Sequence, residues 1–247
     1  CIINNKLIMN KFTHKGNEKK TLVTKLFNDI AKSYDFFNHF FSFGIDYYWR
    51  SRLVKKTNAT KTDVVLDVAT GTGDVAFKLA PNVNHVTGLD IASEMINIAD
   101  QKKEKRKVGN IEFLVGDGEK LPFDDKSFDV ITISYGFRNI AHQDIALLEF
   151  NRVLKDNGKL FILEFSQPKS KFFGMLYKFY SYKVMPFIAS FITKKYAYEY
   201  LPESIDMFST RLEIKNKLES AHFTDVEIFD MTFGISTIFS GLKNESK

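Results

Sequence analysis

Val64-Val65-Leu66-Asp67-Val68-Ala69-Thr70-Gly71-Thr72-Gly73-Asp74 runs from an apolar segment into a loop with two glycines and out onto an acid. A Val/Leu run interrupted only by Asp67 fits a strand buried on both faces, as the central strands of parallel sheets are. Gly71 and Gly73 let the chain turn tightly and bring its backbone against a ligand with no Cβ in the way. Strand, glycine loop and helix together begin a βαβ unit.

Outward from this stretch, short β-rich runs alternate with polar helical segments. The strand candidates are Val64–Ala69, His85–Asp90, Ile111–Gly116, Phe128–Ser134 and Lys159–Phe165. Asp74–Leu79 and Ser93–Lys107 read as helices between them, the second N-capped by Ser93 and carrying Met95, Ile98 and Ala99 on one face. Asp225–Met231 and Ile235–Gly241 flank a short turn at Thr232–Gly234 and predict a closing hairpin that makes one edge strand antiparallel. The pattern predicts an α/β fold: a Rossmann-like, seven-stranded, mostly parallel sheet with an antiparallel C-terminal edge hairpin and helices on both faces.

Two segments stand outside the alternation. Residues 21–58 form a helical, aromatic-rich extension, and residues 167–202 interrupt the core before the hairpin; both are expected to form a lid over the carboxyl ends of the strands, where ligands sit in such folds. Residues 21–247 are expected to form a single domain. Residues 1–20 are expected to be a disordered or non-native extension, with Met9 the natural initiator, because Cys1–Ile8 lacks the features of a signal peptide.

A chain of 247 residues with 44% apolar content can bury one substantial core. Its apolar runs, such as Val184–Ile192 with Pro186 inside, fall short of the roughly 20 residues a spanning helix needs. A cytoplasmic chain, peripheral to a membrane at most, is expected. The single cysteine excludes an intrachain disulfide framework and a cysteine metal cage. A net charge of +5 favours anionic surfaces without the dense basic runs of a nucleic-acid arm, so no nucleic acid is demanded.

The loop predicts the ligand. Asp90 ends the second strand, where an acid accepts both hydroxyls of a ribose. The spacing Gly71, Gly73, Ala76 also satisfies the dinucleotide fingerprint. Asp67 and Asp74, however, flank the glycines and would repel a pyrophosphate at the helix N-terminus. The same carboxylates suit a sulfonium and an ammonium, which points to S-adenosylmethionine. Gly116-Asp117-Gly118-Glu119 follows the third strand, where an acid can accept the adenine amino group.

Together with these, the chain resembles the demethylmenaquinone and ubiquinone-pathway C-methyltransferases from Lys25 to its C-terminal region. The resemblance is carried by Phe27-Asn28-Asp29-Ile30-Ala31 with Tyr34-Asp35, Trp49-Arg50, Asp67 to Asp74, Ser134-Tyr135-Gly136-Phe137-Arg138-Asn139, Leu163-Glu164-Phe165-Ser166 and Tyr200-Leu201-Pro202-Glu203-Ser204-Ile205. It implies that Thr72, Asp90, Asp117 with Gly118, and Ser134 contact the cofactor. It also implies methyl transfer to a ring carbon of a prenylated quinol, most widely demethylmenaquinol to menaquinol, with 2-polyprenyl-6-methoxy-1,4-benzoquinol as the alternative. Asn157, Ser209 and the final strand around Ser236–Ser240 depart from the family pattern.

Carbon methylation needs an electron-rich ring, which a quinol supplies when a hydroxyl loses its proton; the transfer is an in-line displacement that needs positioning and no metal. Arg138 is expected to stabilise the developing quinolate and Asn139 to fix the ring hydroxyl. Arginine stays protonated, so a water relay or a carboxylate must take the proton, and Tyr34 and Asp35 are the candidates. An ion pair of Arg138 with Glu164 is the plain alternative. Residues 169–200 interleave aromatics with lysines and have no acid before Glu199, a composition for a prenyl channel and peripheral membrane contact or, equally, for a self-packed helical subdomain. Competing functions are an RNA or other small-molecule methyltransferase and a non-catalytic nucleoside-binding module; a homodimer is left open.

Overall fold

The computed structural model describes residues 16–189 and 195–245. Residues 1–15, and with them Met9, lie outside the described residues, as do Phe191 and Lys194 of the insertion. Seven strands form one sheet: β1 (Val64–Val68), β2 (His85–Asp90), β3 (Ile111–Val115), β4 (Phe128–Ser134), β5 (Leu154–Phe165), β6 (Phe223–Met231) and β7 (Ser236–Lys243). Their order is β3-β2-β1-β4-β5-β7-β6. The first five pair in parallel, whereas β7 runs antiparallel to both β5 and β6.

The hairpin thus differs in one respect from the expected edge. The reversed strand is β7, one position in, and the edge strand β6 runs with the first five. Burial accounts for it: β7 is buried at six of its eight positions, while β6 alternates toward solvent. A strand covered on both faces belongs inside a sheet, and one that alternates suits the edge.

Helices α3 (Asp74–Leu79), α4 (Ser93–Arg106), α5 (Gln143–Val153) and α9 (Arg211–Ser220) cover the sheet. Two apolar cores result, one on each face, built around Leu53, Val65 and Val86 and around Leu66, Ile131 and Phe150. The start of α4 corrects the Ser93 cap. The cap position is Ala92 with no side-chain bond of its own, and the Glu94 amide donates instead to Asn28 Oδ1 at 3.0 Å. An orphan amide of the first turn is satisfied in trans by the N-terminal extension.

That extension consists of α1 (Gly16–Phe41) and α2 (Ile45–Thr57). Helix α1 begins five residues ahead of the boundary expected at Thr21. The insertion holds α6 (Lys171–Phe179), a π turn (Tyr180–Val184), α7 (Met185–Ala189) and α8 (Lys195–Asp206), which carries Pro202 inside it. A third, smaller apolar cluster joins Val23, Leu26, Phe37 and Phe41 of α1 to Met185 and Tyr200. Extension and insertion therefore pack on each other; α1 lies against residues just past β1, β2 and β4, and the insertion shares a cavity with residues just past β4 and at the end of β5.

Candidate active site

The strand order reverses between β1 and β4, because β2 and β3 lie to one side and β5 to the other. Loops leaving two such strands diverge and open a crevice. Ala69 and Tyr135, the residues just past β1 and β4, both take left-handed backbone conformations, at φ 50° and 58°. Such conformations are strained for residues with a Cβ and gather at functional sites. Gly136 allows the two turns to touch: a Cβ there would lie 2.4 Å from that of Ala69.

Two cavities meet at this crevice and share Phe27, Tyr34 and Tyr135. The first, about 730 Å³ with its open mouth, is lined by Gly71, Asp90, Asp117, Gly118, Ser134 and Asn139. The second, about 1350 Å³ with its open mouth, lies between α1, α2 and the insertion; its wall is mainly aromatic and aliphatic, with Arg138, Arg50 and Asp46 as its charged members.

In the first cavity Asp90 is fixed by backbone. Its Oδ2 accepts from the Gly71 amide and its Oδ1 from the Ala92 amide, both at 2.8 Å. Burial pushes this carboxyl up, and the amide bonds oppose the shift. Each oxygen keeps acceptor capacity for a pair of hydroxyls. Asp117, at the other end, accepts the Glu119 amide on Oδ1 and pairs through Oδ2 with Lys20 of α1. The Ser134 hydroxyl is buried and has no hydrogen-bond partner. A buried polar atom left unmatched in the wall of a cavity is what a bound polar ligand would satisfy. Paired acceptors, an acid at the far end and an orphan hydroxyl fit a nucleoside with a charged tail, so S-adenosylmethionine suits these residues.

Asp67, Thr72, Gly73 and Asp35 stand apart from both linings. Asp67 lies beneath the loop, accepting Thr132 Oγ1 at 2.6 Å and Thr70 Oγ1 at 2.7 Å, so it ties β1 to β4 and to its own turn. Burial pushes its carboxyl up to about 6 against those two bonds. Thr72 donates to Asp35 at 2.5 Å and accepts from Lys102 at 2.8 Å. Lys102 also pairs with Asp35 and Asp74. This cluster clamps the back of the loop to α1 and α4. Gly73 caps α3, and a Cβ there would meet the Phe113 ring at 2.7 Å.

Arg138 lines the second cavity and is buried in an ion pair with Glu164 at 2.8 Å. Its Nη1 also donates to the Tyr135 carbonyl and its Nε to Ser204. Burial works against its charge, but Glu164 with Tyr200 and Tyr34 together outweigh it and hold the guanidinium protonated. Pairing and cavity placement thus coexist. Asn139 Oδ1 accepts from Tyr200 of α8 at 2.8 Å, which links the insertion to the loop after β4.

Several residues at the site carried no assigned role in the sequence. Tyr200 stands in a motif of the resemblance, and only the fold shows what it holds. Lys19 and Lys20 fall before the expected boundary, yet Lys19 Nζ donates to the carbonyls of Arg138 and Ile140 at 2.8 and 2.9 Å. No local pattern marks them, because their partners lie about a hundred residues away.

Comparisons with known proteins give the family and the fold. The model of the ubiE/COQ5 methyltransferase family matches residues 13–243. The ubiquinone/menaquinone biosynthesis C-methyltransferase UbiE of Citrifermentans bemidjiense is 43% identical over 231 residues, covering 92% of this chain and 98% of the relative. The protein of that name in Shewanella pealeana is 38% identical over 236 residues, with 94% of each covered. Among solved structures, a SAM-dependent methyltransferase of Thermotoga maritima, described as a possible histamine N-methyltransferase, superposes with a TM-score of 0.64 at 18% identity over 90% of this chain and 100% of its own. A SAM-dependent methyltransferase of Aquifex aeolicus gives 0.58 at 20% identity, over 78% and 88%. At such identities the two structures establish the fold alone. With the glycine-loop cavity, the parallel sheet and sequence identity along nearly its whole length, the chain belongs to the ubiE/COQ5 methyltransferase family of S-adenosylmethionine-dependent enzymes.

Proposed function

We propose that this chain methylates a ring carbon of a prenylated quinol, converting demethylmenaquinol to menaquinol, with 2-polyprenyl-6-methoxy-1,4-benzoquinol as the alternative ring. The observation that carries this is the large apolar cavity that meets the cofactor cavity at Tyr34 and Tyr135 and has Arg138 in its wall. An aromatic ring with a long apolar tail needs such a space. Relatives named for both quinone routes support the substrate class. When bound, S-adenosylmethionine supplies an electrophilic methyl on its sulfonium.

The protein's own part is to orient and to stabilise charge. Arg138, held by Glu164, offers a fixed cation to the oxygen on which charge develops, without reorganisation during the reaction. Asn139, in the wall of the cofactor cavity and tied to Tyr200, orients the ring beside it. Tyr34 stands where the two cavities meet, and its burial pushes its phenol up, so it serves as a donor and an apolar wall.

The prenyl tail also requires a way out. Phe172, Met175 and Phe179 of α6 and Phe36, Phe40 and Phe43 of the extension are all exposed. Among them stand Lys171, Lys178 and Lys183. Aromatics with basic neighbours suit peripheral docking on anionic lipid at the inner face of the membrane. No helix among the described residues is long and apolar enough to cross one.

A methyl-transfer assay with labelled S-adenosylmethionine tests the reading, with reduced demethylmenaquinone, reduced ubiquinone precursor and total RNA offered in parallel. Label is expected on the naphthoquinol first, falling by about 100-fold or more in Arg138→Ala. Label on RNA alone, or on nothing, overturns it.

A further inference from the structure

Among the described residues, Asp46 is the carboxylate that lines the apolar cavity, and it is buried. Its Oδ1 accepts from Ser42 Oγ at 2.6 Å; its Oδ2 meets His39 Nδ1 at 2.7 Å and the guanidinium of Arg50. Ser42 and Arg50 line the same cavity. Burial would push this carboxyl up, but Ser42, Arg50 and His39 together hold it below the ordinary range. The other ionisable groups packed around the cluster are Asp74 of α3, 3.9 Å from His39 Nε2, Tyr47 stacked on the His39 ring, Tyr135 under the Arg50 guanidinium, and Tyr34. The cavity therefore contains one fixed anion.

The reaction proposed above needs a proton acceptor. Arg138 stays charged, and Asp35 is committed to Lys102 and Thr72 outside the cavity. We propose that Asp46 accepts the proton of the quinol hydroxyl, with Ser42 holding its carboxylate in place, an inference that rests on the quinol occupying this cavity. The O–H bond breaks, its proton goes to an Asp46 oxygen, and the pair left on the quinol oxygen forms a carbonyl. The ring carbon uses its π pair to bond the methyl, while the carbon–sulfur pair stays on sulfur. The proton on that ring carbon then leaves to water, the ring regains aromaticity, and the oxygen takes its proton back from Asp46. One proton reaches solvent per methyl, and the carboxylate ends as it began.

Single-turnover methylation of demethylmenaquinol by the full chain, without oxygen and from about pH 6 to 10, tests this with Asp46→Asn and Ser42→Ala. Trp49, the single tryptophan, lines the same cavity, so its fluorescence quenching reads quinol binding without turnover. Asp46→Asn is expected to bind quinol within about threefold of wild type, to lose at least about 100-fold in rate near pH 7, and to recover about tenfold per pH unit as the quinol ionises unaided. A rate near wild type, or a loss equal at every pH, overturns the proposal. Should Asp46→Asn fail to fold, Ser42→Ala decides: a smaller loss that shrinks with rising pH supports the proposal, and an unchanged rate or a pH-independent loss overturns it. A wild-type chain inert toward every quinol would instead sink the proposed function itself.

Discussion

Asp67 is expected from the sequence to face a cationic ligand, and its side chain makes its hydrogen bonds under the loop. Its position at the end of an apolar strand beside two glycines marks it as special, and the sequence suggests a partner for a cationic ligand. The fold buries it under the loop, where Thr70 and Thr132 take both its oxygens. Because burial raises its carboxyl to about 6, the folded state holds its proton more tightly than the unfolded chain does. The stabilisation linked to that proton is complete below the unfolded value and is lost as pH rises through 6. Wild type should therefore lose about 1.4 kcal/mol relative to Asp67→Asn between about pH 5 and pH 8, since one pKa unit carries that much. Urea unfolding of both proteins at the two pH values measures it, and parallel curves would show that Asp67 does not titrate in this range. Asp90, Asp117 and Ser134, by contrast, line the first cavity.

Helix α1 is the element least legible in the sequence. Its aromatic face predicts a lid, but the contacts that make it one come from polar side chains: Asn28 caps α4, Lys19 binds the loop after β4, and Lys20 pairs with Asp117. The Lys20 pair occupies the carboxylate expected to receive the adenine amino group. Removing a competitor for that acid should favour the cofactor, so Lys20→Ala is expected to tighten S-adenosylmethionine binding by a few-fold, about 1 kcal/mol at most for a partly exposed pair. Titration calorimetry at two salt concentrations checks this, with the wild-type affinity approaching the variant's as salt screens the pair. Unchanged or weaker binding would mean that Lys20 contributes to the pocket and does not compete for it.

At the scale of the whole molecule, the extension and the insertion are brought together by packing. Tyr180 donates to the Phe41 carbonyl at 2.7 Å, and the Phe43 and Tyr180 rings stand 5.8 Å apart. The exposed rings of α1 and α6 and the lysines near them in sequence are the part of the proposed docking on lipid that can be tested. Sedimentation with vesicles should show binding to anionic lipid that weakens in high salt and falls in Phe172→Ser/Phe179→Ser, by roughly tenfold for two buried rings. Equal binding to neutral and anionic vesicles would remove the part assigned to the lysines. Loss of both binding and secondary structure in the double variant would instead mark those rings as core.

By itself the sequence determines the sheet, because strand burial is written locally: alternation, apolar runs and glycine turns are read within ten residues. It also points to the cofactor class, because the glycine loop and the acid that ends the next strand form a short motif. Only the tertiary structure decides which strand of the hairpin lies inside, which polar groups face the cavities and which brace them from behind. Asp35 and Asp46 are both acids on the same aromatic extension, eleven residues apart in the numbering. One is spent on Lys102 and Thr72 behind the loop, and the other stands in the wall of the apolar cavity. That difference comes from how α1 and α2 pack against partners far along the chain, which no local pattern encodes.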